Sequence, residues 1–467
     1  AAHLLARAER PVLYAGHGGM LAGAAAELRA LSRRLKVPVA TTVHGIGLMP
    51  DDDPLNLGML GMHGQMAANI APHLADLVIA LGARFDDRVV GSKPEQFAPT
   101  AKVIHVDVDS HQLNRVRQVD LAIHSDVKYA VERLMDLSNE MDQVDREPWI
   151  SRLREIRAAM PIQSYDTTGD DHLSHEFVYA ATAAALSERG TQDVVATFDV
   201  GTHQMKGAQW FPISEPRSFL TSGGMGSMGC SLPMAVGAAM ARPDAAVIAV
   251  AGDGGFVMSS HELDTVGSYR IPVKMIVFDD SALGMVTNWH GLFFDGRDLT
   301  SDRRRGRPVY GVDLAAFKAA LHRQIEAAES TDQLVSAVCG ATMELAEAEW
   351  PLFAATAASY AIPAERVRTK AEAAAAIRRA LAHDGPYFVH VMLPSKNQVY
   401  PLMEPGTTPR DMVWRELIPG SGIKVYARDR FDYETGRLIA EGHANGTNEH
   451  ANRTESGHTL ERDPNGF

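Results

Sequence analysis

Two places in the chain set carboxylates at the ends of apolar runs, where they could hold a cation against a phosphorylated ligand. Ala249-Val250-Ala251 passes directly into Gly252-Asp253-Gly254-Gly255, and Val273 to Phe278 passes into Asp279-Asp280. Glycines let a backbone approach a ligand closely, and their amides can point at phosphate oxygens. Carboxylates at the carboxyl ends of parallel strands stand where such sheets bind ligands. A carboxylate, a second side-chain oxygen, a backbone carbonyl and diphosphate oxygens together supply the hard octahedral shell that Mg²⁺ requires. Taken bare, Gly-Asp-Gly fits an acidic turn between strand and helix equally well; the second strand end is what favours a metal-diphosphate site. Gly16-His17-Gly18-Gly19 also follows an apolar run but lacks the full spacing of a dinucleotide loop. By themselves, Arg84, Asp86, Asp87 and Arg88 read as an exposed ion-pair cluster of little energetic weight. Met228 alone reads as core packing, and His203 as a structural histidine.

These residues need a scaffold, and the hydrophobic pattern provides two. From Pro11 to about Asp126, uniformly apolar runs alternate with helical stretches: Val12–Ala15, Val37–Thr41, Leu77–Leu81 and Val103–Val106. Such strands suit a parallel sheet covered on both faces, so this part reads as a doubly wound α/β domain over 1–150. The charged text from Asp126 to Tyr165 reads as a helical connection. A second alternation follows, with runs Val194–Phe198, Ala246–Val250, Val273–Phe278 and Tyr387–Val391 and helical patterns at Cys230–Met240 and Lys370–Ala382. It predicts a second parallel-sheet domain over 165–417, carrying an Ala-rich and charged helical insert at about 303–349. The polar text of 418–467 reads as a mobile tail.

Composition narrows the function classes. The 467 residues suffice for two or three domains, and 45% apolar with 22% charged residues is ordinary for globular chains. A formal charge of -13 without a long basic stretch argues against nucleic acid as the main partner. No run is long and apolar enough to suggest a membrane helix. Two cysteines, Cys230 and Cys339, form neither a disulfide framework nor a C-x-x-C pair, which fits a reducing, cytoplasmic setting. The chain opens within a helical pattern, Ala1 to Ala8, without an initiator Met or a leader, so a preceding segment is expected.

Gly252-Asp253-Gly254 through Phe278-Asp279-Asp280 resembles the thiamin diphosphate (ThDP) motif, which usually ends in Asn-Asn; here both are aspartates. Around it, Asp199 to Met205, Ser222 to Gly229 with Leu232-Pro233, and Leu283 to Trp289 resemble the acetohydroxyacid (acetolactate) synthase family, large catalytic subunit. Leu60 to Gly64 and Gly82 to Val89 are similar to that family's FAD-binding segments. The similarity runs from Ala1 to about Pro405 outside the insert.

The resemblance implies Mg²⁺ on Asp253, the Asp280 side chain and the Ala282 carbonyl, with Val200, Gly201, Thr202, His203, Gly226, Gly254, Gly255 and Met285 along ThDP. Met228 would wedge between the two cofactor rings, and FAD would touch Gly16, Gly18, Thr42, Leu60, Gly61, Met62, His63, Gly82, Arg84, Asp86, Arg88, Asp107 and Asp126. Catalytic roles fall to Met228, Met285, Arg88 and Trp289: Arg88 is the candidate for the second keto acid's carboxylate, and Trp289 with Met62 shapes that pocket. The implied transferase decarboxylates pyruvate and joins the two-carbon fragment to pyruvate or 2-ketobutyrate, the first common step of branched-chain amino acid biosynthesis. The family's catalytic glutamate lies in an amino-terminal pyrimidine-binding domain that has no counterpart in this sequence. A homo-oligomer whose active site is completed by another chain or domain is therefore expected, with a regulatory small subunit as a further partner. Two alternatives are another ThDP carboligase, such as glyoxylate carboligase, and an inactive FAD- and ThDP-binding fragment.

Overall fold

The computed structural model describes residues 1–140, 144–166, 171–293, 353–394, 399–403, 407–416 and 424–439. The expected insert at 303–349 and Cys339 lie outside them.

The first sheet contains β1 (Pro11–Ala15), β2 (Val39–Thr41), β3 (Asn56–Met59), β4 (Leu77–Leu81), β5 (Lys102–Asp107) and β6 (Leu121–His124), in the order β3-β2-β1-β4-β5-β6. The second contains β7 (Val194–Phe198), β8 (Phe219–Thr221), β9 (Ala246–Gly252), β10 (Val273–Asp279), β11 (Ala364–Val367) and β12 (Tyr387–Met392), in the order β11-β12-β10-β9-β7-β8. Every pairing in both sheets is parallel. Both are α/β sheets with cores on two faces. In β1, Val12 and Tyr14 join one core while Leu13 and Ala15 join the other. In β9, Ile248 and Val250 face one core and Val247, Ala249 and Ala251 the other. Burial on both faces is why these strands read as unbroken apolar runs.

Local signals fix the helix starts. Asp126 accepts from the Tyr129 amide at the start of Val127–Leu137, Ser174 caps His175–Glu188, and Thr369 with Glu372 makes a capping box for Lys370–Ala382. Trp149, Leu153 and Ile156 of the helix Glu147–Ala159 lie in the first domain's core. That helix therefore belongs to the first domain and crosses the expected boundary at 150.

The expectation of a mobile tail from 418 onward is corrected for 424–439. There β14 (Lys424–Tyr426) pairs antiparallel with β13 (Val413–Glu416), and β15 (Phe431–Asp432) pairs with β16 (Arg437–Leu438). Ala427 and Phe431 are buried with Trp414 in the same core as Val12 and Tyr14, and Tyr433 meets His73 edge-on at 5.5 Å. Averaged polarity concealed the few aromatic residues that anchor this segment. Among the described residues no helix is long and apolar enough to cross a membrane.

Candidate active site

Strand order reverses between β7 and β9, because β8 lies outside β7 while β9 returns on its other side. Ligands of open parallel sheets bind at such a switch, beyond the carboxyl ends of the strands. Asp199-Val200-Gly201 follow β7, and β9 ends at Gly252 with Asp253 opening the next helix. The helix Thr202–Trp210 begins here, so its unpaired amides face the switch.

Missing side chains let these loops converge. A methyl group on Gly284 would lie 2.7 Å from Asp280 Oδ2 and 2.9 Å from Thr202 Oγ1, a buried hydroxyl without a hydrogen-bond partner. A methyl group on Gly254 would come within 2.8 Å of Leu283 Cδ2 and 3.3 Å of Met228 Cε. One on Gly252 would lie 2.9 Å from His203 Nδ1, and one on Gly255 would strike the Asp199 carboxylate. The structure thus groups Thr202, His203, Met228, Gly254, Leu283 and Asp280 at one sheet edge. Gly226 sits nearby at φ +67° with open space beside it, and Met285 lies half-buried on the helix Gly284–Phe293.

Asp199 is a residue that sequence reasoning passed over. It accepts from the amides of Val200 at 2.7 Å, Gly229 at 2.9 Å and Ser231 at 3.4 Å, and so ties its own loop to the start of the helix Ser231–Ala241. Burial raises its carboxyl pKa, against the pull of those amides. Burial also lowers His203 to about 3, so its imidazole is neutral at physiological pH and brings no positive charge to a diphosphate. Lys206 is no free cation either, being paired with Glu176 at 2.6 Å.

The donor set therefore suits a hard divalent cation. Asp253 is buried, and Asp280 Oδ1 accepts from the Ala282 amide at 3.1 Å. Among the described residues no three His, Cys, Asp or Glu side chains converge on a metal position. Two carboxylates and a carbonyl fit Mg²⁺ only with further oxygens from the ligand, which makes cation and diphosphate interdependent.

The first sheet reverses between β1 and β4. Gly16 and Gly18 follow β1 and Gly82 follows β4 at φ +60°, where a methyl group on Gly82 would lie 2.5 Å from Gly18 Cα. Backbone thus packs on backbone. Thr42 follows β2, Leu60 and Gly61 follow β3, Asp107 ends β5, and Asp126 follows β6. The expected flavin residues accordingly spread along the carboxyl edge of all six strands, as an extended ligand would require. Several of them also have structural partners. Asp107 accepts from the Asp109 amide at 2.9 Å, Arg84 pairs with Asp86, and Asp86 caps the turn Asp87–Val90. His63 contacts the Pro401 carbonyl at 3.1 Å through Nδ1, and burial lowers its pKa to about 4. His17 and His44, which the sequence did not single out, stack at 4.8 Å.

The two sites are linked. Gln209, on the helix that starts at Thr202, donates to the carbonyls of His63 at 2.8 Å and Tyr400 at 3.0 Å. The Met62 amide donates to the Arg88 carbonyl at 2.6 Å, and the Arg88 guanidinium lies 4.0 Å from Met62 Sδ. Met62 packs on the cluster containing Leu292 and Phe293, and Phe293 meets Trp289 edge-on at 5.4 Å. Arg88, Met62 and Trp289 are thereby connected through one apolar patch.

Residues 1–134 match the family described as "Thiamine pyrophosphate enzyme, central domain", and residues 199–349 match "Thiamine pyrophosphate enzyme, C-terminal TPP binding domain". The chain belongs to the thiamine pyrophosphate enzymes. It is 34% identical over 409 residues to the "Probable acetolactate synthase large subunit" of Methanocaldococcus jannaschii, covering 87% of this chain and 61% of that protein. It is 35% identical over 414 residues to the "Acetolactate synthase isozyme 2 large subunit" of Escherichia coli, covering 88% and 65%. It is also 34% identical over 429 residues to the "Probable acetolactate synthase 2, chloroplastic" of Oryza sativa subsp. japonica, covering 91% and 58%. The chain spans about three-fifths of the length of these relatives.

Within this thiamine pyrophosphate enzyme, the cap at Asp126 offers a way to separate folding from ligand contact. Asp126→Ala should lower stability by about 1 kcal/mol through loss of the helix cap, whereas Asp126→Asn should preserve it. Flavin titration with thermal melting of both variants checks this. Equal flavin loss in the two would assign Asp126 to the ligand, and loss confined to Ala would assign it to the cap.

Proposed function

We propose that this chain carries the cofactor-binding domains of an acetolactate synthase, which decarboxylates pyruvate and joins the remaining two carbons to pyruvate or 2-ketobutyrate. The observation that supports this reading is the grouping of Thr202, Asp280 and Met228 at the carboxyl edge of the second sheet, where Asp253 follows β9, beside a second extended ligand edge on the first sheet. ThDP, when bound, supplies the electron sink for decarboxylation. Asp253, Asp280 and the Ala282 carbonyl would hold Mg²⁺, and the Thr202 and His203 end of its helix would orient the diphosphate. Met228, whose tip lies beside Gly254, would contact the cofactor. Arg88, with its side chain 65% exposed, would receive a keto-acid carboxylate bidentately, with Met62 and Trp289 bounding that acceptor. FAD would lie along the carboxyl edge of β1 to β6, from Asp126 past Gly82 and Gly16 to Leu60.

The proposed partners follow from the surface around the ThDP site. Met225 is 90% exposed and Met228 37%, with Val257 and Met258 also exposed. An apolar rim of this kind around a site that must exclude water calls for cover by a second copy or a further domain. The relatives named as large subunits support a small regulatory partner as well, and the proposed setting is the cytoplasm.

Fused behind the amino-terminal domain of the Escherichia coli relative, the chain should form acetolactate from pyruvate with Mg²⁺, ThDP and FAD. The product is read as acetoin after acidification. Trp289→Leu in that fusion should change the product ratio from mixed pyruvate and 2-ketobutyrate. A fusion that binds ThDP yet releases only acetaldehyde would count against carboligation.

A further inference from the structure

The resemblance leaves a chemical difficulty, since two aspartates stand where two neutral asparagines are usual, beside a diphosphate. The structure separates them. Asp280 faces Gly284 and Thr202, whereas Asp279, the last residue of β10, is buried and turned toward the neighbouring strand. Its Oδ2 lies 2.9 Å from Nε2 of His390 on β12, also buried. Its Oδ1 accepts from the Ser281 amide at 2.8 Å and the Ser281 hydroxyl at 3.1 Å. Both carboxylate oxygens are committed within the protein.

What they hold is a turn that does not hold itself. Ser281 has φ +56°, in the left-handed region that side chains other than glycine rarely occupy. Such a conformation persists only where surrounding contacts impose it, and at functional sites it commonly positions a reactive or binding group. Here it carries the chain from β10 into the helix Gly284–Phe293, placing the Ala282 amide on Asp280 Oδ1 at 3.1 Å and setting the direction of the Ala282 carbonyl.

We propose that Asp279 and His390 form a strand-to-strand positioning pair, which fixes the turn 279–282 and with it the metal-binding Asp280 and Ala282 carbonyl, while Asp279 itself does not touch the metal. This rests on the assignment of Asp253, Asp280 and Ala282 to Mg²⁺. The hydrogen-bond chemistry is specific. A carboxylate at 279 only accepts, so the imidazole at 390 must donate from Nε2. Its ring packs edge-on against Phe353 at 5.2 Å, which fixes its direction. Asparagine at 279 could still accept from Ser281, but its amide would present a donor to His390, whose ring would have to move its proton from Nε2 to Nδ1 in order to accept it. A side chain at 390 that only accepts would suit asparagine at 279 without that change. The departure from asparagine at 279 is thus matched by a donor one strand away.

The test uses the full chain with Mn²⁺ as a paramagnetic stand-in for Mg²⁺, titrated with ThDP and read by the electron paramagnetic resonance spectrum of bound Mn²⁺, beside thermal melting. His390→Phe removes the donor, and binding should weaken roughly 10- to 100-fold, the range for groups that orient metal ligands. His390→Gln keeps an N–H donor and should stay near wild type. His390→Glu sets two carboxylates against each other and should bind poorly, while Asp279→Asn with His390→Glu restores one donor and one acceptor and should recover binding. If wild type binds and all variants bind alike while melting lower, the pair is structural and the proposal is overturned. Failure of the double variant to improve on His390→Glu overturns it equally, even where His390→Phe does not fold. No Mn²⁺ uptake by the wild type would instead overturn the metal assignment, and this proposal with it.

Discussion

Lys206→Met should destabilise the second domain by about 3–5 kcal/mol, the usual cost of leaving one charge of a buried ion pair without its partner. The Lys206 side chain is wholly buried and that of Glu176 is 5% exposed, with Nζ and Oε1 2.6 Å apart and the ammonium 4.8 Å from the centre of the Tyr165 ring. Burial lowers the lysine's pKa and Glu176 opposes that shift, so the pair exists because each charge is answered by the other. At roughly 2–4 °C per kcal/mol for a domain of this size, the melting temperature should fall by roughly 6–20 °C. Lys206 lies four residues beyond Thr202 on the same helix, so the amides facing the β7/β9 switch should lose their anchorage as well. Lys206→Met with Glu176→Leu should recover most of the stability, because a well-packed apolar pair replaces buried charges at little cost. Calorimetric melting of the three proteins checks this. A single variant that melts within a degree of wild type would mean that water reaches the pair.

The central strands were legible because burial on both faces leaves them largely apolar, as in Leu77–Leu81 and Val247–Ala251. The edge strands were not. Asn56–Met59 contains Gly58 at φ +85°, Leu121–His124 alternates between half-buried and exposed, Phe219–Thr221 has three residues, and Ala364–Val367 carries Glu365 and Arg366. Each satisfies its backbone on one side only and so carries a weaker hydrophobic signal. The places of Asp253 and Asp280 just beyond strand ends were readable from the apolar runs before them. The different fates of Asp279 and Asp280 were not, because the partner that distinguishes them, His390, is distant in sequence and reaches Asp279 only through sheet pairing. The ordering of 424–439 was hidden for a related reason, since its anchors are a few aromatic residues set in polar text.

Asp253→Ala should remove ThDP binding almost entirely. The proposed site offers two carboxylates and a carbonyl, so loss of one carboxylate would leave too few oxygens to hold a divalent cation against the diphosphate. The effect should exceed the roughly 100-fold that marks the upper range for groups merely supporting a ligand. Gly284→Val should do comparable damage without touching a donor, because its side chain would fill the space between Asp280 and Thr202. Asp280→Asn, by contrast, keeps an oxygen while removing a negative charge, and it should bind at least as tightly as wild type, more clearly at low salt.

The most direct test is calorimetric titration of the chain with ThDP, once with Mg²⁺ and once with excess EDTA, in wild type and Asp253→Ala. Saturable binding by the wild type that disappears with EDTA, and is absent from Asp253→Ala under either condition, is the predicted result. Binding that is indifferent to both the metal and Asp253, or none by a folded wild type with Mg²⁺ present, would contradict a metal-diphosphate site at the β7/β9 switch.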